Sequence, residues 1–145
     1  MANGSIDSSI VGAEYDSSVS DPVTREEIHE FAAASGETDP RYTGDDAIAP
    51  PTFCVCFGGK IFFHPGIPRS LLITGFDAGK DIMFGAPIRV GDVIRTKSAV
   101  HDVYEKTGRS GTMVFIVSRQ TLVNQHGEMV AVIDNRFVCR PEKAE

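Results

Sequence analysis

The sequence predicts an α+β fold, a curved antiparallel sheet wrapped around one central hydrophobic helix. Three observations lead there. Helical spacing is confined to the first half of the chain. Residues 52–63, TFCVCFGGKIFF, are apolar all round with Lys60 as the sole charge, which is the pattern of a buried helix. From residue 70 onward apolar and polar residues alternate between turn signals, which is the pattern of half-buried strands.

Taken in order, residues 1–9 are polar and read as a flexible tail. Residues 10–23 place Val11, Tyr15 and Val19 among turn formers and predict one short strand. Thr24 followed by Glu27 is a capping box, with Ile28, Phe31 and Ala32 at helical spacing behind it. Arg25, Glu26, His29 and Glu30 are expected to face water, and Gly36 to close the helix. Residues 36–51, GETDPRYTGDDAIAPP, read as a loop, the kind of segment on which a rigid scaffold carries functional groups. Pro50 and Pro51 suit the first turn of the apolar helix. Gly58 and Gly59 oppose helix by about 1 kcal/mol each relative to alanine, so their use is expected to be close approach of another backbone.

Strands are expected over Leu71–Phe76, Asp81–Ile88, Val93–Tyr104, Met113–Val123 and Met129–Cys139. Turns are expected at Lys106–Gly111 and Asn124–Gly127. Arg95 and Lys97 should lie on the outer face, and Ala131, Ile133, Phe137 and Cys139 together on one face. One domain over residues 10–140 fits this length, with a tail at 141–145.

Lys and Arg total 14 against 20 Asp and Glu, a net charge of −6, which argues against a nucleic-acid partner. No run approaches the roughly 20 apolar residues of a membrane span. The start of the chain shows neither a basic region nor an apolar run, so a cytoplasmic protein is expected. Cys54, Cys56 and Cys139 are read as free buried thiols of a reducing compartment. His29, His64, His101 and His126 are isolated and fall in no metal-ligand spacing. Neither metal nor cofactor is expected. Arg89, Arg95, Lys106 and Arg109 are read as solvated charge, with contact to a coenzyme A phosphate or an acidic carrier as the alternative.

A sheet curled around a hydrophobic helix is the hot-dog architecture, and several segments carry a resemblance within it. VGAEYDSSVSDPVTREEIHEFAAASGETDPRY resembles the start of MaoC-like dehydratase N-terminal-type (FAS1-like dehydratase) domains: a strand, a T/S-R-E-x-I helix, then G-(D/E)-x-(N/D)-P. AIAPPTF resembles the start of that family's central helix. The P-I-x-x-G-D and N-x-x-G-E turns in the sheet region match as well, so the likeness spans about residues 10–140.

The resemblance implies the chemistry of (R)-specific enoyl-thioester hydratases and 3-hydroxyacyl-thioester dehydratases, with acyl-CoA or an acyl carrier protein thioester as partner. The catalytic motif there reads roughly G-D-x-N-P-x-H, with an A-H-G sequence supplying a backbone donor. On this chain Gly36 and Pro40 match the Gly and Pro. Glu37 stands at the Asp, Asp39 at the Asn and Tyr42 at the His. Ala49 matches the Ala, while Pro50 and Pro51 replace the His and Gly.

Each departure has a physical consequence. A phenol near pKa 10 does not replace a near-neutral imidazole without a large shift. Glu37 carries one methylene more than Asp, and small misplacements cost on the order of 100-fold in rate. Pro51 has no N–H, and losing one such donor costs about 100- to 1,000-fold. The leading expectation is therefore a non-catalytic, acyl-binding subunit that pairs with a catalytic hot-dog chain, as in the heterodimeric dehydratases of mycolic-acid synthesis and some steroid-degrading hydratases. Ala49, Pro51, Phe53, Gly58 and Gly59 are the residues expected to border the acyl channel. The alternatives are an enzyme using Glu37, Asp39 and Tyr42 as variant catalytic groups, and a ligand-binding or structural homodimer. A hot-dog thioesterase is disfavoured because residues 52–63 contain no acid.

Overall fold

The computed structural model describes residues 6–141. The tails expected at 1–9 and 141–145 lie outside that range except for residues 6–9 and 141. Within it, Asp7 caps a single 3-10 turn, Ser8–Ile10, and Ile6 and Ile10 pack on a buried cluster.

Five strands, β1 (Glu14–Val19), β2 (Phe76–Phe84), β3 (Arg95–Gly108), β4 (Gly111–Val123) and β5 (Met129–Cys139), form one antiparallel sheet in the order β1-β3-β4-β5-β2. Each of the four pairings has an irregularity in register, at Glu14/Asp16, Val100/Asp102, Leu122/Val123 and Asp77/Lys80. An extra residue bends its strand and increases the local twist, so these irregularities curl the sheet. β3 follows the alternation read in the sequence over its first half, and β4 is buried on both faces at its centre, Ile116–Ser118. In β3, Thr96, Ser98 and Val100 are buried while Arg95 and Lys97 are exposed. The β3–β4 hairpin is tighter than expected: the strands run on to the Gly108–Gly111 pair, and Gly111 takes a φ of 105°. The β4–β5 turn falls where expected, with the Asn124 side chain accepting from the N–H groups of His126 and Glu128, each at 3.0 Å.

Helix α1 (Arg25–Ala34) begins with the predicted capping box: Glu27 N–H donates to Thr24 Oγ1 at 3.2 Å, and Thr24 N–H to Glu27 Oε2 at 2.7 Å. Ile28 and Ala32 are buried beneath it. His29, expected to face water, is half-buried, and its Nε2 is hydrogen-bonded to the Gly44 carbonyl at 3.0 Å. The loop read over 36–51 contains one extra helical turn, α2 (Pro40–Thr43), with Asp39 as its N-cap.

Three elements differ from expectation. The apolar segment 52–63 is helical only as a 3-10 helix, Pro51–Cys56, and continues as irregular chain. Gly58 and Gly59 weaken helix propagation there, and Tyr15 and Asp16 of β1 hold the backbone at Phe62 and Ile61 instead. This segment still occupies the open face of the curled sheet, where the helix was expected. The strand expected at Leu71–Phe76 is a short helix, α3 (Arg69–Ile73), since so brief an apolar run carries no periodicity to tell the two apart. β2 is Phe76–Phe84 rather than Asp81–Ile88, because Pro87 cannot donate to the ladder.

The buried residues form two clusters. One joins α1, the 3-10 helix and the near ends of β4 and β5 through Ile28, Phe53, Cys54, Leu122 and Ile133. The other joins α3 and the far ends through Ile67, Leu71, Val114, Ile116 and Cys139. Cys54 and Cys139 are buried as expected, but Cys56 is exposed, in the cleft beside α1.

Candidate functional site

Gly36 closes α1 in the left-handed region, φ 70°, and sends the chain back so that Glu37 N–H reaches the Ala32 carbonyl at 2.8 Å. The Glu37 side chain then folds onto its own backbone: Oε1 accepts from the N–H groups of Thr38 and Asp39, each at 3.0 Å. Asp39 Oδ1 accepts from Arg41 N–H at 2.9 Å and Oδ2 from the Arg41 guanidinium at 2.8 and 3.1 Å. The Arg41 side chain, with its backbone N–H, holds the Asp39 carboxyl below its usual range. The Glu37 carboxylate thus holds the turn between α1 and α2, and the Asp39 carboxylate starts α2.

Tyr42 is the one residue of that trio that faces a cavity. It lines a space of about 120 Å³ with Ala49, Pro51, Cys54, Phe84 and Pro87. Ala49 N–H donates to the Ile88 carbonyl at 2.8 Å, and neither Pro50 nor Pro51 has an N–H. Three successive residues therefore offer this cavity no free backbone donor. Its titratable side chains are the Tyr42 phenol and the Cys54 thiol, which burial pushes up. Neither carboxylate nor imidazole stands on its wall.

The other residues expected to border an acyl channel are dispersed. Phe53 stacks edge-on between Phe31 and Phe57, with ring centroids 5.3 and 5.4 Å away, and lines a separate cleft under α1. Gly58 lines a third cavity. At Gly59 a Cβ would fall 1.9 Å from Asp16 Oδ2, the close approach expected of this glycine pair, here to a side chain.

That third cavity, about 350 Å³, lies between the sheet and the 58–63 segment, and its polar floor was missed in the sequence. The register places Asp16, Ser98, Gln120, Ser118, Asn135 and Lys80 in a row across the inner face of all five strands. The signal was present: Ser118 and Gln120 share parity with Ile116 and Leu122, and Asn135 with Ile133. Ser98 and Ser118 are 1% and 6% exposed, and their hydroxyls have no hydrogen-bond partner. Tyr15 O–H closes the cavity by donating to the Phe62 carbonyl at 3.1 Å. Burial pushes this phenol up, opposed by the nearby Ser118 hydroxyl.

Among the described residues, no His, Cys, Asp and Glu are grouped to hold a metal ion, and no helix is long and apolar enough to cross a membrane.

A family profile described as FAS1-like, dehydratase domain region matches residues 9–133. A UPF0336 protein of Saccharopolyspora erythraea is 29% identical over 150 residues, covering 93% of this chain and 92% of its own. Among solved structures, the ChsH1-ChsH2 complex of Mycobacterium tuberculosis contains a chain that superposes with a TM-score of 0.70 at 17% identity, covering 91% of this chain and 87% of that one. The HadBC (3R-hydroxyacyl-ACP dehydratase) complex of the same organism gives 0.63 at 20% identity, covering 86% and 92%. A MaoC-like dehydratase of Rhodospirillum rubrum gives 0.59 at 20% identity, covering 99% and 96%. These likenesses establish the hot-dog fold.

Proposed function

The chain belongs to the FAS1-like dehydratase domain family of MaoC-like hot-dog proteins, and from that premise we propose that it is a non-catalytic, acyl-binding subunit. Its complex would be an (R)-specific enoyl-CoA hydratase or (3R)-hydroxyacyl-thioester dehydratase, in which a second hot-dog chain does the chemistry.

One observation carries this reading. At the motif positions the cavity has no acid–base pair and no free N–H at Ala49, Pro50 or Pro51. Hydration of an enoyl thioester needs a group to activate water, a group to protonate carbon and a donor for the developing enolate. Glu37 and Asp39 accept from backbone N–H groups instead, so using either as a base would release the turn leading into α2 or uncap α2. The cavity also borders β2, a free sheet edge whose Phe76, Met83 and Phe84 are 62%, 62% and 51% exposed. An edge of that kind favours a second chain beside it. Two of the similar structures are described as complexes, which supports the same expectation.

The test is hydration of trans-2-enoyl coenzyme A thioesters by the purified chain, alone and co-purified with a catalytic hot-dog subunit. The chain alone is expected to be inactive and the pair active. Robust turnover by the pure chain, abolished by Glu37→Ala or Tyr42→Phe, would overturn the proposal.

A further inference from the structure

The cavity floored by the polar row has no part in the reading above, and its construction is specific. A groove for a plain alkyl chain is served by apolar walls. Here the Ser118 hydroxyl on the cavity wall and the Ser98 hydroxyl are both buried and unpaired, and the Tyr15 phenol close to both is itself committed to the Phe62 carbonyl. Buried polar groups are nearly always paired, and an orphaned one needs an explanation. Beside them Asn135 Nδ2 donates to Gln120 Oε1 at 3.3 Å, and the hydrogen bonds among the described residues give the Gln120 amide N–H groups no acceptor.

Phe62, Phe63, Phe137 and Val55 supply apolar wall to the same cavity. The charged side chains on its lining are compensated: Lys80 pairs with Asp77 at 2.9 Å, and Arg136 pairs with Asp81. A cavity that combines apolar wall, the neutral hydrogen-bonding groups of Ser118, Gln120 and Asn135, and charges that are already paired matches a neutral oxygen set within a hydrocarbon.

Resting on the acyl-binding reading, we propose that this cavity takes the middle of an acyl group bearing a hydroxyl or oxo substituent, held by Ser118 with Gln120 and Asn135. An unsubstituted chain would leave the Ser118 hydroxyl unpaired and is bound less well. The small side chain of Ser118 leaves room for the substituent, and Tyr15 fixes the covering segment through Phe62.

The experiment is calorimetric titration of the full chain with dodecanoyl coenzyme A and with its mid-chain hydroxy isomers. One isomer is expected to bind about tenfold tighter than the unsubstituted thioester, the equivalent of one hydrogen bond. Ser118→Ala should erase that preference while leaving the melting temperature unchanged or higher, because it removes an orphaned hydroxyl. Ser118→Cys, with a weaker donor of similar shape, should erase most of it and serves as the second variant if alanine impairs folding. Equal affinity for all the thioesters, as ordered water at the serines would produce, overturns this inference and leaves the acyl-binding reading intact. A preference that survives in the Ser98→Ala/Ser118→Ala chain overturns the assignment to this cavity. Failure to bind any of the thioesters overturns both readings.

Discussion

Asp16 Oδ2 accepts a hydrogen bond from the backbone N–H of Ile61 at 3.0 Å, fastening the covering segment to the edge strand β1. Gly59 makes room for that carboxylate, since a Cβ there would lie 1.9 Å from the same oxygen. Gly59→Ala must therefore displace Asp16 and break its bond to Ile61. The expected loss is about 1–3 kcal/mol of unfolding free energy, the range for overpacking. Asp16→Ala should cost less, and adding Gly59→Ala to it should cost little more, since the clash is gone. Urea unfolding of the two single variants and the double variant checks the coupling. Additive losses would show that the two residues do not compete for one space.

Arg119 and Asp134 face each other across β4 and β5 with two bonds of 2.7 Å. The Arg119 side chain holds the Asp134 carboxyl below the usual carboxylate range. A depressed folded-state pKa stabilises above the unfolded value, and the contribution disappears as pH falls through the folded one. Asp134→Asn should then lower stability at neutral pH by at most about 1 kcal/mol, since Arg119 is partly exposed and screened. The gap between the two proteins should close as pH is lowered below about 4. Thermal melts from neutral pH into the acid range measure it. A gap that persists at the acid end would assign the effect to packing.

Glu37 and Asp39 stand at motif positions, but Glu37 holds the turn before α2 and Asp39 caps α2, so their substitution should act on stability rather than on turnover by a complex. Asp39→Ala removes the N-cap of α2 and the pair with Arg41, at an expected cost of about 1 kcal/mol. In a complex with a catalytic partner, the turnover rate is expected to stay within about twofold of the unsubstituted complex. Turnover slowed by about two orders of magnitude, with the melting temperature unchanged, would restore Asp39 to the chemistry.

The long strands were legible because each is a run of 11 to 14 residues rich in apolar and β-branched side chains between turn signals. The capping box at Thr24 and Glu27 was legible because its two bonds depend on residues three apart. The covering segment was not. An all-round apolar run fits a buried helix as well as an irregular strap, and what decides here is the hold of Tyr15 and Asp16, about 45 residues distant in sequence. The motif positions could be counted from sequence, but the engagement of Glu37 with its own backbone could not. The polar row was encoded in strand parity at Ser118, Gln120 and Asn135. It became visible as one feature only when the register brought four further strands alongside β4.

β2 is the edge at which the proposed pairing can be tested without touching any cavity. Its inner face is anchored by Ile82 opposite Ile133, while Met83 is 62% exposed. A second strand added beside β2 would cover Met83, and a lysine there would place a charge in the new interface, as natural edge strands do to stay unpaired. Met83→Lys should leave the circular dichroism spectrum unchanged, because the native side chain contributes little to either buried cluster. It should weaken association by about tenfold or more, read by sedimentation velocity across a dilution series. Dissociation with the fold intact would place the interface on β2. Unchanged association would move it to β1, the opposite edge, where Lys97 and Glu14 already pair at 3.4 Å and make an apolar interface less favourable.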